Sequence, residues 1–343
     1  MAQCVLSTFY RSVMNKPKLM MKKTSTLIYL LSLCAACSGN SGGPSFLPSS
    51  VAPAPAGNIA PAVNGALAAQ AGSEKLIFHV GPVDIPAHTE VEQFLEHPLK
   101  LDFQLSRPAW VVGFAPKVVD STGQELPATL LHHAELINHH ESDPLCPSRD
   151  GNAFAIASSI LTKVELPQGY GYPLLPSDPI EAKVVFQNPS DRAYINVFFE
   201  IALNTKPMNE FVALKDVQAV LLNFEPCSDK PLEIQPGEFS EKTVTHTLEK
   251  GGSLVLAHGV LQDYGVALQL KKDDALVPFW RTEARLDEAH RIIDLNDNPF
   301  TDPAGVPLAD GGKITLGATY NNASSNWLYS AEGAAMLYIS PEE

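Results

Sequence analysis

Four things are scarce in this sequence: long apolar runs, basic residues, cysteine and helical periodicity. The longest apolar stretch, Leu27 to Ala36, is about ten residues, roughly half of what a helix needs to span a bilayer. Lys and Arg number 24 against 38 Asp and Glu, and five of the basic residues (Arg11, Lys16, Lys18, Lys22 and Lys23) fall within the first 37 positions, where there is no acid. A body this acidic repels phosphate backbones and anionic headgroups, which argues against nucleic acid as a partner and against charge-driven membrane binding. No Gly-x-Ser-x-Gly context surrounds Ser158 or Ser159, and no Gly-rich phosphate loop follows a strand pattern. The acidic run Asp294 to Asp297 lacks the spacing of a calcium-binding loop and reads as a solvated turn. What is present is size and turn chemistry. The 343 residues are 45% hydrophobic, enough for one large core or two ordinary ones, and 28 Pro with 22 Gly imply many turns.

Met21-Lys22-Lys23 precedes the short apolar run, and Cys34-Ala35-Ala36-Cys37-Ser38-Gly39 follows it. A charged start, an apolar stretch, two small residues and a cysteine resemble a bacterial lipoprotein signal. The resemblance implies a presegment over residues 1–37, with Cys37 as the lipidated first residue of the mature chain. The expected partner is then a membrane reached through a lipid anchor, and the expected location is the bacterial cell envelope, at the outer membrane or cell surface. Residues 38–74 open with Ser-Gly-Asn-Ser-Gly-Gly and continue in Ala, Pro, Val and Asn, a composition suited to a flexible tether. Cys4 and Cys34 lie in the presegment and Cys37 carries lipid. Cys146 and Cys227 remain, and in an oxidising compartment they are expected to form a disulfide.

From Lys75 onward the dominant pattern is alternation at period two, as in Leu101, Phe103 and Leu105 against Lys100, Asp102 and Gln104. Similar strands are predicted over 110–119, 129–137, 181–186, 194–203, 253–260, 264–270 and 313–320. Turn clusters such as Asp120-Ser121-Thr122-Gly123, Asn188-Pro189-Ser190 and Lys250-Gly251-Gly252 separate them. Only Asp287 to Ile293 suggests a short helix. The pattern predicts an all-β chain of two tandem antiparallel jelly-roll-like β-sandwich domains, over 75–228 and 229–343, with the break where strand periodicity stops in a Pro-rich segment.

Several segments, in order, carry a family resemblance: Leu131-His132-His133, Leu166-Pro167-Gln168-Gly169-Tyr170-Gly171-Tyr172-Pro173, Val184-Val185-Phe186-Gln187-Asn188-Pro189, Gly259-Val260-Leu261-Gln262-Asp263-Tyr264-Gly265, Tyr320-Asn321-Asn322 and Met336. Together they resemble the copper type II, ascorbate-dependent monooxygenases, and in particular the bacterial and plant relatives of peptidylglycine alpha-hydroxylating monooxygenase. The resemblance covers about Val111 to Ile339 and implies two jelly-roll-like sandwiches holding one copper each across a cleft. The electron-storing copper would take His132, His133 and a third histidine at the position of Val185. The oxygen-binding copper would take two histidines at the positions of Val260 and Gln262, and a methionine, Met336. Valine offers no lone pair and an amide oxygen is a hard donor poorly matched to Cu(I). Ascorbate-dependent hydroxylation is therefore not expected, and no catalytic residue is assigned. His258 shares a strand face with Val260 and Gln262 and is expected to be a polar cleft residue, and Met336, within Ala334-Ala335-Met336-Leu337-Tyr338, is expected to be a strand-core residue and only a weak metal donor.

His132, His133, His139 and His140 place four of the ten histidines within nine positions, with Glu135 and Glu141 nearby. A strand ending near Asn138 would let the chain turn back and bring the second pair toward the first. Imidazole nitrogens bind copper and zinc, so this cluster is the candidate metal site. Proton competition should weaken its binding as pH falls through about 6.5. Three functions remain open: a noncatalytic envelope lipoprotein binding a small ligand or a protein in its cleft, a copper- or zinc-binding protein, and a divergent copper monooxygenase.

Overall fold

The computed structural model describes residues 74–342 apart from 210–212, 229–231 and 238; the presegment, the tether and Cys37 lie outside the described residues. The alternating segments are strands, and the fold is all-β, with tandem jelly-roll-like sandwiches. In the first half one sheet runs in the order Glu74–Ile85, Tyr194–Pro207, Ala109–Val119, Tyr170–Leu174 and Lys215–Asp216. It faces a sheet ordered Leu99–Phe103, Ile180–Phe186, Leu131–Asn138 and Asn152–Ser158. In the second half one sheet is ordered Phe239–Thr247, Lys313–Asn321, Gly265–Lys272, Trp280–Leu286 and Ile292–Leu295, and the other Gln218–Leu222, Gly333–Ser340, Gly252–Leu261 and Phe300–Leu308. Strand partners change between Asp216 and Gln218, ahead of the Pro-rich segment where periodicity stops.

The sheet containing Gln218–Leu222, Gly333–Ser340 and Gly252–Leu261 is buried on both faces. Along Gly333–Ser340, Ala334, Met336 and Tyr338 pack into the core shared with the first half, while Ala335, Leu337 and Ile339 pack into the core of the second. The same alternation sends Ala219 and Leu221 one way and Val220 and Leu222 the other. Such a strand must be apolar on both faces, which explains why Ala334-Ala335-Met336-Leu337-Tyr338 shows no polar period. Full burial of each large side chain contributes roughly 1.5–3 kcal/mol. Two polar bonds fix the registration of this sheet on the first half: Tyr338 Oη donates to Phe154 O at 2.8 Å, and Asn152 Nδ2 donates to Ala219 O at 3.0 Å.

Cys146 and Cys227 are joined, with their Cα atoms 5.3 Å apart and a sequence separation of 81. The bond ties the loop after His140 to the segment that follows Leu222. Asp287 to Ile293 is not a helix. Asp287 Oδ1 accepts from the backbone N–H of Ala289 and of Arg291, each at 2.9 Å, which closes a turn, and the chain leaves it as the strand Ile292–Leu295. An aspartate that captures nearby N–H groups competes with the helical alternative.

Candidate metal centre

Adjacent residues on a regular strand point to opposite faces, so His132 and His133 should not meet. Pairing with Ile180–Phe186 slips at this point: Leu131 opposes Phe186 and His133 opposes Val185, which leaves His132 as the extra residue of a bulge. A bulge re-aims the side chains beside it, and here it brings both rings to one side. Their Nδ1 atoms lie 2.8 Å apart, with ring planes 62° apart.

The third member comes from the far end of the sequence. Glu332 occupies the break between the strands Leu328–Ala331 and Gly333–Ser340. Its Oε2 lies 3.3 Å from His133 Nδ1 and 3.9 Å from His132 Nδ1. Gln262 fixes this approach: its backbone N–H donates to Glu332 O and its Nε2 to His132 O, both at 3.1 Å. Glu332 keeps about 30% of its side-chain surface open, yet Oε2 itself is buried and makes no aligned hydrogen bond. Burial alone would raise the Glu332 carboxyl, but His133 and His132 beside it, together with Gln262, hold it down at about 2. Burial likewise works to lower the His133 imidazole, and Glu332, aided by Glu135 and opposed by Lys183, moves it above 6.5 instead.

The three separations of 2.8, 3.3 and 3.9 Å bracket the roughly 3.3 Å between two ligand atoms that each sit about 2.05 Å from a tetrahedral cation. Two imidazoles and a carboxylate leave one tetrahedral position open. All three residues line a cavity of about 140 Å³. On its floor His133 and Glu135 come from one strand, and their cross-strand partners Val185 and Lys183 from the next, all four on the same face. Phe224 and Leu232 contribute apolar wall.

His139 and His140 do not join this centre. Asn138 Oδ1 accepts from the His140 backbone N–H at 3.0 Å, turning the chain at the strand end, and His139 Nδ1 faces Asp150 Oδ2 at 3.4 Å. Five strand steps from His133 to Asn138, roughly 17 Å in all, separate them from His133 before the chain turns. Met336 is fully buried in the core opposite His258 on the neighbouring strand. His258 is not a cleft residue: it has no exposed surface, and its ring lies 5.9 Å from that of Phe114 and 6.2 Å from that of Tyr338. Neither of its ring nitrogens has a hydrogen-bond partner, and burial lowers its pKa to about 3. Glu332 and Lys183 were not singled out in the sequence. The only local signal for Glu332 is a lone carboxylate in an otherwise apolar terminal stretch, and for Lys183 a lysine at the centre of a buried strand.

Fold and centre together define a double jelly-roll-like β protein with an imidazole–carboxylate cluster beside an open pocket. No family model matches the chain, and no curated protein matches it. Among solved structures it is similar to viral major capsid proteins. The STIV MCP is 11% identical over 78% of this chain and 96% of its own, with a TM-score of 0.32. The mavirus major capsid protein is 9% identical over 87% and 93%, with a TM-score of 0.25. These values carry no argument about what this chain does. The resemblance to copper monooxygenases is corrected: no family model matches the chain, and the ligand positions do not hold the donors it implies. Val185 and Val260 are buried valines, and Gln262 is a structural bracket between Glu332 and His132. Met336 is packed into the core with no histidine at the two positions that would share a metal with it.

Proposed function

We propose that this protein binds one first-row divalent cation of the zinc type through His132, His133 and Glu332. The observation that carries this reading is a buried carboxylate oxygen, Glu332 Oε2, without an aligned hydrogen-bond partner and aimed at two imidazole nitrogens within 3.9 Å. The two imidazoles already stabilise the ionised carboxylate, and a cation at the centroid of the three atoms would replace that ion pair by direct ligation, in competition with the proton on His133. Two nitrogen donors and one oxygen donor suit Zn²⁺ better than Cu(I), which favours sulfur. Lipid attachment at Cys37, with residues 38–74 as tether, places this cation-binding body at a bacterial envelope surface, where the cavity serves as its ligand-binding element.

Equilibrium dialysis of the tag-free chain against zinc alone, followed by elemental analysis, is expected to return one equivalent of zinc. Glu332→Gln should weaken that binding at least about tenfold, the size of effect seen when an oriented metal-site group is lost. Absence of stoichiometric metal in the unmodified protein would overturn the reading. The anchor is checked separately by Cys37→Ser, which should release the protein from membranes.

A further inference from the structure

The cavity beside the metal centre contains a lysine, Lys183, that faces a carboxylate across the sheet without making an ion pair with it. Lys183 lies directly across from Glu135 and one alternation away from Val185, which itself opposes His133. All of these side chains line the same cavity. Among the described residues Lys183 makes no hydrogen bond and no ion pair, even with Glu135. An ammonium group that is half-buried and unpaired has lost part of its hydration without a charged partner in exchange. The rest of the wall combines apolar Leu95, Phe224 and Leu232 with one exposed carboxylate, Glu225, and one guanidinium, Arg149, whose opposite charges offset each other. The cavity volume of about 140 Å³ is close to that of a roughly 150 Å³ apolar cavity that admits benzene.

On the reading that His132, His133 and Glu332 hold a divalent cation, we propose that the cavity binds a small organic carboxylate whose charged end bridges the cation's open position and the Lys183 ammonium. Its apolar body, up to about the size of a benzene ring, lies against Phe224 and Leu232. The charge pattern explains the choice. A cation with one carboxylate ligand keeps a positive charge, Lys183 adds a second, and a carboxylate has two oxygens with which to meet both. Glu135, beside Lys183, sets the limit: it repels the ligand and keeps affinity moderate.

The test uses benzoate as the anion and benzamide as its neutral counterpart, with the full, zinc-loaded, tag-free chain in a calorimeter. Benzoate is expected to bind and benzamide not. Lys183→Met should keep one equivalent of zinc, which shows that it is folded, and should lose roughly tenfold or more in benzoate affinity, the scale of a charge-assisted bond. Glu135→Gln should shift benzoate affinity in the opposite direction. Zinc bound at full stoichiometry with no benzoate binding, or with equal affinity in the Lys183→Met variant, overturns the carboxylate proposal while leaving the metal centre standing. Failure to bind zinc at all overturns the metal centre, and this proposal with it.

Discussion

His132–His133 and His139–His140 are neighbouring pairs on one stretch of chain, identical in composition and separated by roughly 17 Å of strand before the chain turns. The first pair sits where the strand bulges, largely buried at the edge of an open pocket, with a carboxylate delivered from 199 residues downstream in Glu332. The second sits where the strand has ended; His140 is exposed, and His139 faces Asp150, whose side chain is 92% exposed. An ion pair open to water is screened and contributes little. The contrast teaches that histidine density marks a site only where backbone irregularity and a distant partner converge on it. His258 is a third case, buried without any polar partner at all.

Four measurements can break or sharpen this contrast. The largest effect is expected from His132→Ala with His133→Ala, which should abolish stoichiometric zinc, whereas His139→Ala with His140→Ala should retain it. Equal loss in both double variants, read by elemental analysis, would remove the distinction.

Next in size is the disulfide that fastens the loop after His140 to the segment beside the cavity. Cys146→Ser with Cys227→Ser releases an 81-residue span; the chain-entropy account puts the cost at about 4–5 kcal/mol as an upper bound. Chemical denaturation should show this loss while zinc stoichiometry in the folded protein stays at one, since neither cysteine is a ligand.

His258 should show itself in acid. Burial holds its pKa near 3 against 6.5 in the unfolded chain, so the unfolded state binds the extra proton. Stability from this residue is complete above about 6.5 and falls as pH drops through that value toward about 3, by a few kcal/mol in all. His258→Leu should flatten that acid limb, in denaturation curves taken between pH 7 and 4. An unchanged slope means that the ring is hydrated or paired in solution.

The smallest effect belongs to the exposed pair. His139→Ala with His140→Ala should change stability by no more than about 0.5 kcal/mol, as for surface positions generally.

Some strands with one wet face were legible in the sequence, while others of that kind, Phe239–Thr247 and Trp280–Leu286, were not predicted. Lys313–Asn321 and Ile180–Phe186 follow from alternation, within a residue or so at each end. Asn152–Ser158 was not predicted as a strand, because burial on every residue erases the polar half of the pattern, whereas the strand-core reading of Met336 within Ala334–Tyr338 matches the strand Gly333–Ser340. Asp287 to Ile293 misled because its acidic start resembles a helix N-terminus, and the same carboxylate closes a turn instead.

The sequence by itself determined the β class, the tandem jelly-roll-like sandwiches and the concentration of imidazole at His132 and His133. These depend on local period, on turn residues and on counting, which need no knowledge of distant contacts. Tertiary structure alone decided that a one-residue slip against Phe186 and Val185 turns both rings to one side, that Gln262 brackets Glu332 against them, and that Lys183 shares their cavity. Register and long-range closure are set by packing among residues up to 200 positions apart, and no window of sequence contains both partners.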